Sequence, residues 1–122
     1  MSNADRVVIG LTHGLDDAES VLISYLMGVE GLRKGKQVLL WLTKDGVHVA
    51  TEGYAARVVV TDAPRVADLH EEYIRSGGRF YACPVCVTSR GLQEAIWVEG
   101  AEVKGAPSVY EFAGDGALTF NY

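Results

Sequence analysis

Cys83 and Cys86 stand three residues apart in the stretch Phe80-Tyr-Ala-Cys-Pro-Val-Cys-Val-Thr-Ser-Arg-Gly91. Two thiols at that spacing suit nucleophilic and exchange chemistry: one takes up or attacks sulfur, and the other, a helical turn on, reaches back to it. Pro84 suits the first position of a helix, where the N–H it lacks is not needed. A helical turn is therefore expected to begin there, with Cys83 facing its free N–H groups. That local field and the cation of Arg90 favour a thiolate. A peroxide or sulfenic acid route at Cys83 belongs to the same chemistry. A zinc site needs four ligands, and His13, His48 and His70 are scattered along the chain, so no metal is expected. Free cysteines are often small buried apolar residues; the pairing around a proline, directly after an apolar run, sets these two apart.

Positioning such a loop requires strands and helices around it. Arg6–Leu11 and Gln37–Leu42 are short apolar runs with β-branched members, which predict buried strands. Between them, Val21, Leu22, Tyr25, Leu26, Val29 and Leu32 recur at three- and four-residue steps, the face of an amphipathic helix from Ala18. Asp16 or Asp17 caps its start, and Arg33-Lys34-Gly35 closes it. Lys44-Asp45-Gly46 reads as a turn. Residues 47–56 read as a short helix leading into an extended piece over 57–60. Thr61-Asp62-Ala63-Pro64 signals a second helix, carried by Val66, Leu69, His70, Tyr73 and Ile74 and closed by Gly77-Gly78. Arg79–Ala82 is a third strand, residues 92–99 are weakly helical, and Glu102-Val103 is a brief strand or loop. Residues 107–112 form a further helix, and 117–122 a last strand.

Strands alternating with helices predict one α/β domain over residues 1–122. It is a three-layer architecture with a mostly parallel sheet of about five strands. In such sheets ligands bind beyond the carboxyl ends of the strands. Three loops should meet there: 12–17, 43–48 and 83–90. They bring His13, Asp16, Lys44 and His48 within reach of Cys83, Pro84, Cys86 and Arg90. His13 is a candidate proton donor, although a plain loop histidine is the simpler reading. His48 is a candidate lining residue, and Asp16 is first a helix cap. Arg90 either supports the thiolate or pairs with an acid or a carbonyl. His70, on an apolar helix face, reads as a satisfied core histidine. Thr12-His-Gly-Leu-Asp16 lacks the glycine spacing and lysine of a phosphate loop.

Composition bounds the rest. The chain has 122 residues, of which 48% are hydrophobic and 22% charged, the make-up of a folded domain rather than a disordered chain. Net charge is −5, which argues against nucleic acid, whose binders carry basic surfaces. Two cysteines are too few for a disulfide framework. The apolar run Val7–Leu11 is too short for a leader, and no run approaches a membrane span. The expected compartment is the cytoplasm, where thiols stay reduced unless used.

Cys-Pro-Val-Cys resembles the redox motif of glutaredoxins, and Lys104-Gly-Ala-Pro107 their downstream proline segment. Only 20 residues lie between Cys86 and Pro107, however, and 82 precede Cys83, which does not suit a thioredoxin fold. The whole chain instead resembles the DsrE/DsrF-like (YchN-like) proteins. The likeness lies in the first strand with its polar loop and acid-capped helix, and in Asp45-Gly46-Val47 after the second strand. It lies also in the glycine pair before the third strand, in Cys83 followed eight residues on by the glycine of Arg90-Gly91, and in the closing strand. The resemblance implies that Cys83 matches the persulfide-carrying cysteine of sulfur-relay subunits of the TusD type. It also implies a Rossmann-like fold and assembly as a homotrimer, a homohexamer or a mixed hexamer. Two functions follow. One is a sulfur carrier or thiol redox protein on Cys83, with no cofactor, exchanging sulfur with a protein thiol or a small persulfide. The other is a non-enzymatic oligomeric module that binds a small ligand and uses its cysteines structurally or as sensors.

Overall fold

Arg6–Leu11 (β1) and Gln37–Leu42 (β2) are rich in Val, Leu and Ile, and after their first residues both are almost wholly buried. Strands buried on both faces read as continuous apolar runs because helices cover each side of a parallel sheet. In this computed structural model, which describes residues 5–122, they sit at the middle of a five-stranded sheet ordered β4-β3-β2-β1-β5. The other strands are Arg79–Ala82 (β3), Ala101–Val103 (β4) and Leu118–Asn121 (β5). Every pairing is parallel, with Val7 beside Val38 and Leu118, and Leu40 beside Phe80. The expected three-layer α/β domain is thus present, its sheet parallel throughout. Met1–Ala4, within the polar start of the sequence, lie outside the described residues.

Ala18–Arg33 (α1) and Val66–Arg75 (α2) cover one face. Val21, Tyr25, Val29 and Tyr73 pack there against Ile9, Leu11, Leu40, Leu42 and Phe80 in the main core. Ala106–Ala113 (α4) covers the opposite face, where Phe112 meets Val8, Leu39 and Tyr81. Asp17 caps α1, accepting the Ser20 N–H on its carboxylate. Leu26, read as part of the buried stripe of α1, is instead exposed, because the helix turns its neighbours Tyr25 and Val29 fully inward.

Several local readings are corrected. Lys44-Asp45-Gly46 is not a free turn but the start of a 3₁₀ helix, Lys44–Ala50, and a second 3₁₀ turn covers Ala55–Arg57. Residues 92–99 form no helix. The Val98 N–H donates to the Ala50 carbonyl and the Glu52 N–H to the Ile96 carbonyl, so pairing with residues 50–52 takes the groups a helix would use. The signal at 61–64 does not cap α2: Arg65 stands at the cap with no side-chain hydrogen bond, while Asp62 turns the chain at φ 58°. Among the described residues no helix is long and apolar enough to cross a membrane.

Candidate functional site

The carboxyl ends of β1, β2 and β3 lie side by side, and the loops leaving them interlock. The Thr43 N–H donates to the Leu11 carbonyl and the Cys83 N–H to the Leu42 carbonyl, extending the ladders by one residue. Two glycines permit closer contact. A Cβ on Gly46 would strike the Leu11 carbonyl oxygen, and one on Gly14 would strike the Tyr54 hydroxyl and the Asp45 carbonyl. Of the three loops expected to meet, 43–48 touches both others, 12–17 at Gly14 and 83–90 at Cys86.

Pro84–Ser89 forms a six-residue helix, α3, with proline at its first turn and Cys83 at its cap. At under two turns, its dipole reaches only a short way. Both cysteines are free thiols of intermediate burial. Their sulfurs differ in surroundings: the main-chain N–H of Lys44 donates to Cys86 Sγ at 3.0 Å. Arg90 takes the second of its two anticipated roles. Its Nε donates to Asp45 Oδ1 at 2.8 Å, and its Nη1 to the Cys86 carbonyl at 3.4 Å. Pro84, Val85, Thr88 and Ser89 line an open groove on the outer side of α3, where Val85 is 75% exposed.

His13 and Asp16 are brought together. His13 Nδ1 lies 2.8 Å from Asp16 Oδ2, and the Gly14 N–H donates to Asp16 Oδ1, also at 2.8 Å. These two bonds, the histidine first, hold the Asp16 carboxyl below the usual carboxylate range. Asp16 therefore shapes the loop, while Asp17 does the capping. His48 stacks on Tyr54 with ring centres 5.3 Å apart, and Tyr54 in turn accepts the Leu15 N–H. His70 stands apart, its Nδ1 2.5 Å from the buried Tyr25 hydroxyl, and burial lowers its pKa. Among the described residues no three of His, Cys, Asp and Glu gather as metal ligands would.

Asp45 and Tyr54 join the site without having been singled out from the sequence. Asp45 lies 45 residues from its Arg90 partner, and Tyr54 lies 39 from the Leu15 amide it accepts. No local pattern records either contact. The order reversal of the sheet falls between β1 and β5, where the crevice rule would place a ligand. There Thr12 donates both its N–H and its hydroxyl to the Tyr122 carbonyl, so the chain spans that gap itself. The loop that carries Cys83 and Cys86 follows β3, two strands away.

A family model described as the DsrE/DsrF-like family matches residues 6–122. Among curated relatives, the uncharacterized protein MJ0760 of Methanocaldococcus jannaschii is 27% identical over 112 residues. That alignment takes in 92% of this chain and 41% of the relative, so the chain spans less than half of that protein's length. The uncharacterized protein MK0008 of Methanopyrus kandleri is 25% identical over 99 residues, covering 81% of this chain and 78% of the relative. Among solved structures, the YchN protein of E. coli superposes with a TM-score of 0.75 at 16% identity, covering 96% of this chain and 99% of its own. MTH1491 of Methanobacterium thermoautotrophicum, a protein of unknown function, superposes with a TM-score of 0.66 at 19% identity, covering 96% and 98%. At such identities the structures speak to the fold.

Proposed function

This chain belongs to the DsrE/DsrF-like family, and from that premise we propose that it carries sulfane sulfur on Cys83 or passes it on by thiol exchange, with Cys86 as the second thiol. The observation that carries the reading is the placement of two free, half-exposed thiols where three strand ends meet, one of them hydrogen-bonded by a main-chain N–H. Loading is a displacement. The Cys83 thiolate attacks the outer sulfur of a donor persulfide, a new S–S bond forms on Cys83, and the donor leaves as its thiolate. Transfer is the same step in reverse with an acceptor thiolate. Without an acceptor, the Cys86 thiolate attacks Cys83 Sγ, the Cys83–Cys86 disulfide forms, and the terminal sulfur departs with its electron pair as hydrosulfide. A dithiol reductant then returns both thiols.

The partners in this proposal are a protein thiol or a small persulfide. Assembly into a trimer or hexamer is part of it, supported by the exposed apolar residues Ile23 and Leu26 on α1 and Leu118 on β5. His13, its ring tied to Asp16, belongs to this edge in the proposal as a lining residue. The test is intact-mass spectrometry of the wild type, Cys83→Ser and Cys86→Ser after exposure to glutathione persulfide. One added sulfur that requires Cys83, is removed by reductant and accumulates in Cys86→Ser is the expected result. Absence of the adduct from all three, with both thiols slow toward alkylating agents, would overturn the reading.

A further inference from the structure

The Asp45–Arg90 pair closes a ring around Cys86. The Lys44 N–H holds the sulfur, Asp45 follows directly in the chain, and its carboxylate holds Arg90, which reaches the Cys86 carbonyl. The sulfur and carbonyl of one residue are thus both tied to a single dipeptide of another loop. That dipeptide has little slack. Lys44 sits at φ 53°, a left-handed conformation that a residue with a Cβ rarely holds unless its surroundings impose it. Behind it the Asp45 carbonyl lies close against Gly14, and Gly46 lies close against the Leu11 carbonyl. The Asp45 side chain is 46% exposed and that of Arg90 28%, and an ion pair so open to water adds little to stability. Its effect is on geometry.

We propose that Asp45 is a positioning residue for Cys86: acting through Arg90, it keeps the Lys44 N–H on the Cys86 sulfur and so sets that sulfur to attack the persulfide on Cys83. The proposal rests on the second-thiol role of Cys86 given above. In the step concerned, the Cys86 thiolate bonds to Cys83 Sγ while the bond from Cys83 Sγ to the terminal sulfur breaks, and hydrosulfide leaves with the bonding pair. An N–H donates more strongly to a thiolate than to a thiol, so a loop that drifts makes the attack require higher pH.

The experiment uses two backgrounds. In Cys83→Ser, where Cys86 is the only thiol, the iodoacetamide rate is followed over a pH series. Adding Asp45→Asn is expected to move the midpoint of that profile up and to slow alkylation near neutrality about threefold, since the smaller thiolate fraction is partly offset by the greater nucleophilicity of each thiolate. Arg90→Gln should do the same, and Arg90→Lys should recover part of it. Lys44→Ala keeps the main-chain donor and loses the ammonium, so it should shift the profile less than Asp45→Asn does. With Cys83 present and loaded from glutathione persulfide, Asp45→Asn should slow hydrosulfide release about threefold or more. An unmoved profile in both Asp45→Asn and Arg90→Gln overturns the positioning role, as does a Lys44→Ala shift equal to that of Asp45→Asn. Failure of Cys83 to load overturns the carrier reading instead, and the alkylation profile still decides the role of Asp45.

Discussion

At the residue scale, the site depends on atoms that are missing as much as on those present. Gly46 has no Cβ because the Leu11 carbonyl oxygen occupies that space, and it lies one residue from Asp45 and two from the amide that holds Cys86. Gly46→Ala forces the loop off β1. Overpacking of this kind costs about 1–3 kcal/mol, so the urea midpoint should fall, and Cys86 alkylation should slow because the donor moves with the loop. A variant with wild-type stability and reactivity would show that the loop has room to give. The cysteine pair and the proline at the start of α3 were legible in the sequence, since each is local; the His13–Asp16 bond was not, because Asp16 reads first as a helix cap. The Asp45–Arg90 bond was not, because an acid–base pair that far apart carries no signature until the strands bring it together.

At the element scale, caps show the same division. α1 starts at an aspartate whose carboxylate accepts the Ser20 N–H, and this start could be read directly. α2 starts at Arg65, which caps nothing, although Thr61-Asp62 precedes it. Those two residues are spent on a left-handed turn at Asp62. Arg65 already has the extended backbone of a cap, φ −72° and ψ 124°. Arg65→Ser should therefore stabilise the protein by about 0.5–1 kcal/mol. The exposed Arg65–Asp68 pair that it removes, at 3.7 Å, offsets only a few tenths. Thermal unfolding should shift up by a few degrees, and no gain would mean that solvent already satisfies those amides well. Residues 92–99 show the opposite failure of local reading: weak helix preference yields to pairing of 96–98 with 50–52.

For the whole molecule, pH acts through His70 before it acts on the carboxylates. Burial against α1 and β3 lowers the His70 pKa below its ordinary 6.5. The unfolded chain therefore takes up a proton that the folded chain refuses, and stability is lost as pH falls from about 6.5. Asp16, Asp17 and Glu72 are also shifted down, but they begin to weaken the fold only near their own ordinary values, 3.8 for the aspartates and 4.5 for the glutamate. Urea midpoints should thus fall between pH 7 and pH 5 in the wild type and stay flatter in His70→Gln, which still offers Tyr25 an acceptor. Equal slopes would remove His70 from the account. The α/β alternation and the edge where the loops meet were legible because buried strands and amphipathic helices write strong periodic patterns. The lopsided layering, with two helices packed on one face and α4 on the other, had no such pattern to announce it.

The pairing of β1 with β5 has a kinetic consequence. Thr12 and Tyr122 meet across 110 residues, nearly the full length of the chain, whereas β1, β2 and β3 are joined through the helices that follow each of them. Closing the longest loop is the slowest entropic step and is repaid last. The half of the sheet that carries the thiol loop can therefore condense first, with Val8, Leu39 and Tyr81 still bare of Phe112. In that order of assembly the cysteines are seated before α4 covers Val8, Leu39 and Tyr81 on the other face of the sheet. At that stage speed of closure, more than final stability, governs how much protein escapes aggregation.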